Sequence, residues 1–223
     1  MRPAALEPAA RAGGVRGAEV VVDAVEPLLA EIAKNDAKPT VRAAAISLLG
    51  QYTKEEYKPL FLKAVQDSSY SVAGEALGAL VPLAPDTAVD DAKAFAKLPM
   101  KGKLGAVVSQ ILIESGSGEE SFDIIAGNFG SLPVSDAKFE ALQSFAEYLG
   151  TLTNTEKVKK GVDMIVDMRE AVPAQYKAQI TPYINNMVLR GIANKKKAGA
   201  TSSPALQEQI KYINDKIQEK KGF

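Results

Sequence analysis

The 223-residue chain contains no cysteine and no histidine. Without cysteine there is no disulfide framework, no thiolate nucleophile and no soft metal site. Without histidine the commonest general base and the commonest zinc ligand are both missing, and so is the Ser-His route to an activated nucleophile. A zinc site of the H-E-x-x-H kind, which needs two imidazoles one turn apart on a helix, cannot be built here. Calcium-loop and phosphate-loop patterns are also absent. Gly102-Lys103-Leu104 and Gly116-Ser117-Gly118 read as turns. No cofactor is therefore expected in this chain. Long apolar runs are missing too: none approaches the ~20 residues that span a bilayer. Lys+Arg and Asp+Glu both total 27, so no net field draws the chain to nucleic acid or to a membrane, and neither is an expected partner.

Residues 1–17 carry Arg2, Arg11 and Arg16 but no lysine and no continuous apolar stretch. They do not read as a secretory signal. The expectation is a disordered leader, with the cytoplasm as the default compartment.

What the chain does have is a pattern that occurs twice. Asp36, Val41, Ala45, Ile46 and Leu49 recur 31 positions later as Asp67, Val72, Ala76, Leu77 and Leu80, with Leu29 over Leu60 and Ala33 over Ala64. A period in this range, with a helical pair per period, is the mark of stacked helical repeats. The 3.6-residue periodicity predicts hairpins at about 18–34 with 39–51, 54–66 with 70–82, and 86–98 with 101–114. Pro39 suits a helix start, Asp86 reads as a cap, and Pro99 as a break. Arg42 follows Val41 and is placed to pair with the Asp of an adjacent turn. The second copy has Ala73 there, so any such ladder is incomplete.

Further helices are expected near 119–130, from Ser135 to about 149, and from an Asn154 cap to about 171. Another is expected from Pro173, with Tyr176, Ile180, Tyr183, Ile184, Met187, Val188 and Ile192 on its apolar face and a kink or break at Pro182. Lys195 to Ser203 reads as a polar linker, and Pro204 as the start of a last amphipathic helix. Phe122, Phe129, Phe139, Phe145 and Tyr148 fall at helical spacing and are expected in the core.

Two lysine clusters, Lys157-Lys159-Lys160 and Lys195-Lys196-Lys197, lack interleaved aromatics and read as solvated helix surface rather than phosphate sites. Glu119-Glu120 and Asp90-Asp91 are adjacent carboxylates, each placed in a first helical turn where negative charge is favourable. Neighbours on a helix point about 100° apart, so neither pair converges on a substrate. No catalytic, cofactor or metal residue is assigned. One surface stands out: Val20 to Val22 cover three directions of the first helix, more than one packing stripe needs. Val21, Val22 and Val25 are the candidate interface.

The pair Pro39-Thr40-Val41-Arg42-Ala43-Ala44 and Asp67-Ser68-Ser69-Tyr70-Ser71-Val72 resembles HEAT-type helical repeats. The implied fold is all-α, a HEAT/ARM-like α-solenoid, with repeats over 18–115 and an irregular helical extension over 116–223. The segments Tyr57 to Ala64, Phe122 to Phe129, Phe145 to Leu149, Asn154 to Asp163 and Leu206 to Asn214 resemble the C-terminal helical region of bacterial zinc aminopeptidases of the aminopeptidase N family. That resemblance implies a non-catalytic C-terminal module of a zinc metallopeptidase, its zinc-bearing catalytic domain absent from this chain. Its implied partners are that peptidase domain, in cis or in trans, and peptide substrate whose access it shapes. The alternative is an independent HEAT-repeat scaffold for a partner protein.

Overall fold

The structure, a computed structural model, describes residues 14–98 and 100–219, with side chains from residue 25 onward. Most of the expected leader lies outside the described residues, as does Pro99. The described residues are all-α, with no strand among them. They fall into two compact units, one ending at Leu83 and the other beginning at Ala84.

The first unit contains α1 (Gly14–Asn35), α2 (Pro39–Gln51), α3 (Lys58–Ala64) and α4 (Tyr70–Leu80), with a 3-10 turn at Glu55–Tyr57 leading into α3. Pro39 and Pro59 sit in the first turns of α2 and α3, where a missing N–H costs nothing. The two equivalent helices α2 and α4 form the most extensive contact of the unit, whereas α1 and α3 scarcely touch. Composition explains this. The buried residues of α2 and α4 include Ala43, Ala45, Ala73, Ala76 and Ala79 beside the fully buried Ile46, Leu49, Leu77 and Leu80, and Gly50 meets Ala79 across the pair. Small side chains let the backbones approach, and the larger ones fill what remains.

Gly50 marks the closest point of that approach. A Cβ built there would stand 2.8 Å from Ala79 Cβ, which has no flexible end to move aside. Gly50→Val is expected to destabilise the unit by about 2 kcal/mol. Gly127 lies in a helix of the second unit with open space above it. Gly127→Ala there is expected to stabilise by about 0.5–1 kcal/mol, through helix propensity alone. Denaturant midpoints that move in the same direction for both would show that the α2–α4 seam is not tight.

The second unit begins with α5 (Pro85–Phe95) and α6 (Gly102–Glu114). It continues through a 3-10 turn at Glu119–Ser121 into α7 (Phe122–Ser131), α8 (Asp136–Thr151), α9 (Thr155–Ala171) and α10 (Ala174–Tyr183). Asp86 is not the cap of α5. The cap position is Ala84, with Pro85 first in the helix and Asp86 in its opening turn. Asn154 does cap α9, its side chain accepting from the Lys157 N–H. Phe122, Phe129, Phe145 and Tyr148 are buried as expected, with Phe129 and Phe145 stacked at 4.4 Å, whereas Phe139 is only partly covered.

Beyond α10 the structure departs from the sequence pattern. Pro182 neither ends nor breaks the helix. The chain runs on through a π-helical turn at Ile184–Leu189 into α11 (Arg190–Ala200), and α12 (Pro204–Gln218) closes the unit. A π-turn takes up one extra residue by closing i→i+5 bonds while the chain stays helical. It also shifts the buried face. Ile184, Val188 and Ile192 are buried, but Tyr176, Tyr183 and Met187 are exposed. The expected linker at Lys195 is likewise helical: Lys195, Lys196 and Lys197 all lie in α11.

Candidate functional site

In the first unit the repeat has its own turn chemistry. The Asp36 carboxylate accepts from the Lys38 N–H at 2.8 Å, and 31 residues later Asp67 accepts from the Ser69 N–H at 2.8 Å. These side-chain turns fix where α2 and α4 begin. Arg42 joins the two copies, donating from Nη2 to Asp67 Oδ2 at 2.9 Å and from Nη1 to the Asp36 carbonyl at 3.0 Å. Ala73, its counterpart, is buried, and the ladder stops there.

A second polar contact was not legible in the sequence. Glu26 on α1 is buried, and its carboxylate accepts from Lys54 Nζ at 2.6 and 2.7 Å and from the Tyr57 hydroxyl at 2.6 Å. The Lys54 hydrogen bond, then that of Tyr57, holds the Glu26 carboxyl below the usual carboxylate range. Burial and that same carboxylate push the Tyr57 hydroxyl up. Glu26 and Tyr57 are themselves 31 positions apart, so the contact joins equivalent places in successive repeats.

Where α1 and α3 part, they leave a groove of about 720 Å³. Ala30, Ala33, Leu60, Ala64 and Val72 supply its apolar surface, with Lys34, Lys63 and Glu56 alongside. On α1, Val25 is 38% exposed and Leu28 is 60% exposed. The side chains of Val21 and Val22 lie outside the described residues. The structure thus gives an open apolar groove and, from Val25 and Leu28, an uncovered strip of α1.

Several of the remaining sequence candidates are engaged in internal bonds. Lys157 donates to the Glu119 carbonyl at 2.6 Å, Lys159 pairs with Glu208 at 2.7 Å, and Lys160 approaches Asp123 at 3.4 Å. The Glu119 carboxylate clamps the next loop, accepting from the Thr153 N–H and hydroxyl at 2.8 Å each and from the Asn154 N–H at 2.6 Å. Asp90 and Asp91 lie in the middle of α5 rather than in its first turn. Burial, then Asp90, raises the Asp91 pKa.

Three buried cations, Lys138, Arg169 and Lys196, escaped the sequence reading, and Lys138 donates to the Leu132 carbonyl at 2.8 Å. Arg169 donates to Glu170, to Asn185 Oδ1 at 2.7 Å and to the Lys216 carbonyl at 3.1 Å, joining α9, the π-turn and α12. Lys196 is not solvated. It donates to the Leu152 carbonyl at 2.6 Å, and burial pulls its pKa down to about 8.

Among the described residues no group of three or more Asp or Glu side chains is gathered to hold a metal ion. No described helix is long and apolar enough to cross a membrane. With zinc added in excess, the purified chain is expected to retain less than one equivalent after desalting. Tight one-to-one zinc by metal analysis would contradict the donor inventory.

A sequence model of HEAT repeats matches residues 25–99. The chain contains a HEAT-like helical repeat domain. Its fold class is all-α, of the α-solenoid kind. A solved structure titled "Computational Design of Self-Assembling Cyclic Protein Homooligomers" is 18% identical, with 92% of this chain and 82% of that chain covered and a TM-score of 0.28. No curated protein matches. Nothing in these comparisons ties the repeats to the zinc aminopeptidases.

Proposed function

We propose that this chain is a non-catalytic helical-repeat scaffold that holds a partner protein through its first unit. The observation that supports it most directly is the groove between α1 and α3, apolar within and bordered by charge, with exposed Val25 and Leu28 on the same helix. An exposed apolar strip beside such a groove supports a contact surface. The narrower form of this reading follows from the resemblance. There the partner is a peptidase catalytic domain, the repeats span 18–115, the extension spans 116–223, and Val21, Val22 and Val25 meet the partner.

A photo-crosslinking residue placed at position 28 or at position 60, in the cells that make the protein, tests both forms. The scaffold reading expects one dominant adduct from both positions, lost in a Leu60→Arg chain. Recovery of a domain carrying H-E-x-x-H would favour the narrower form. A spread of unrelated adducts, or none, would refute the scaffold reading at this surface.

A further inference from the structure

The helix that runs from α10 through the π-turn into α11 is packed on one side only. No residue of α10 is buried. Tyr176 is 53% exposed, Tyr183 40% and Met187 67%. Gly191 follows with open space around it, and a hollow of about 210 Å³ lies beside Met187 and Gly191 against α8. Tyrosine, methionine and arginine are the residue types enriched in the centres of protein contacts. Three large side chains of this kind on one short exposed helix are more than scattered surface residues.

The charge here is one-sided. Between Glu170 and Glu208 the sequence has no carboxylate, while it places Lys177, Arg190, Lys195, Lys196 and Lys197 in that interval. Lys196 is buried, and Lys195 donates to the Glu147 carbonyl. Arg190 and Lys197 are exposed. Of the bordering carboxylates Glu170 is ion-paired, accepting from Arg169 and approaching Lys177 at 3.8 Å. Glu147 takes only a neutral amide donor, from Gln143 at 2.9 Å, and keeps its charge in the hollow beside Met187 and Lys195. A second copy of the chain would bring like charges together across a symmetric contact. The tyrosines and the exposed cations occupy successive stretches rather than alternating, so they form no base-stacking platform along a phosphate backbone.

We infer that the exposed side of this continuous helix docks an acidic amphipathic helix of a partner protein. Its apolar anchors rest on Tyr176, Tyr183 and Met187, and its carboxylates face Arg190 and Lys197. Tyr176 and Met187 are about 16 Å apart along the axis, a span met by roughly three turns of the incoming helix. Recognition of this kind reads apolar anchors at i, i+4 and i+7 and takes its orientation from charge. This surface belongs to the second unit and does not depend on the groove of the first.

The test uses the full chain and two fluorescent 18-residue helical peptides with the same leucine face. One has glutamate and the other lysine on the polar face. The expected result at low salt is binding of the glutamate peptide at least tenfold tighter than of the lysine peptide, weakening as salt rises. Tyr183→Ala and Met187→Ala should each weaken it threefold or more, and Arg190→Glu should abolish the preference, all with unchanged melting temperature. Equal affinity for both peptides, no binding of either, or indifference to these variants overturns the inference. So does Arg190-dependent binding of phosphatidylserine vesicles or of a 20-nucleotide single strand that is tighter than binding of the acidic peptide.

Discussion

Val72→Asp is expected to lower the stability of the first unit by about 3–5 kcal/mol, whereas Lys159→Glu in the second unit moves its denaturation midpoint little. Val72 is 1% exposed at the start of α4, among Ala73, Ala76 and Leu77, which are equally enclosed. A carboxylate placed there is enclosed by apolar neighbours, and the cations that line the same groove, Lys34, Arg42 and Lys63, lie on other helices. It must be desolvated unpaired or protonated, and either outcome costs several kcal/mol. Arg42 does not rescue it, because its guanidinium is already committed to Asp67 and to the Asp36 carbonyl. Lys159 sits at the surface between Glu208 at 2.7 Å and Glu156 at 3.4 Å. Reversing its charge loses a screened pair and sets a third carboxylate beside Glu208 and Glu156, whose exposure keeps that repulsion small. Equal shifts in the two variants would show that the repeat register is wrong.

The stability of the second unit is expected to rise by about 1–2 kcal/mol between pH 8 and pH 9.5. Lys196 is the cause. Its burial lowers its folded-state pKa to about 8 from 10.5, with Glu119 opposing and Lys195 reinforcing that shift. A lysine whose pKa is depressed by folding binds its proton less tightly in the native state than in the unfolded chain. Its unfavourable contribution is therefore constant below pH 8 and is relieved as pH climbs toward 10.5. Lys138 is lowered by burial and acts in the same direction. Tyr148, raised to about 12 by burial and by the carboxylates near it, contributes only above pH 10, where it opposes the trend. Urea midpoints at pH 7.5, 8.5 and 9.5 check this. Most of the slope should vanish in Lys196→Met, which at neutral pH also leaves the Leu152 carbonyl without its donor. A wild-type midpoint that falls through this window, or a slope kept in the variant, would contradict the assignment.

Much of the first unit could be read from the sequence because its determinants are local and repeated. The 31-residue spacing places Asp36 and Asp67 at identical turns and Val72 in the seam, and Arg42 reaches the next copy as its position suggests. The groove was not legible. It depends on how far α1 and α3 part, which small residues on α2 and α4 decide from the other side. The second unit was read less well. Tyr176, Tyr183 and Met187 satisfy helical spacing, but the π-turn at Ile184–Leu189 shifts the buried face, and α10 meets too little of the unit to hide them. Lys195 to Lys197 looks polar throughout. Only the Leu152 carbonyl, 44 residues earlier in sequence, makes the middle lysine an interior residue. Arg169 is the same case, since its partners come from three separate segments.

The first unit is bound along one edge, like the pages of a book. At the bound edge, Gly50 and Ala79 leave no room for even one more carbon atom, so α2 and α4 cannot slide or hinge apart without losing their fit. At the free edge, α1 and α3 are held to each other by little beyond the Glu26–Lys54–Tyr57 contact, each packing instead on its own neighbour, α2 or α4. Thermal breathing is therefore directed: the free edge fans while the spine stays shut. Backbone amides of α2 and α4 should exchange slowly and as one block, and those of α3 much faster. A partner seated in the groove would act as a wedge between leaves and would set the pitch of the repeats from the side where they yield.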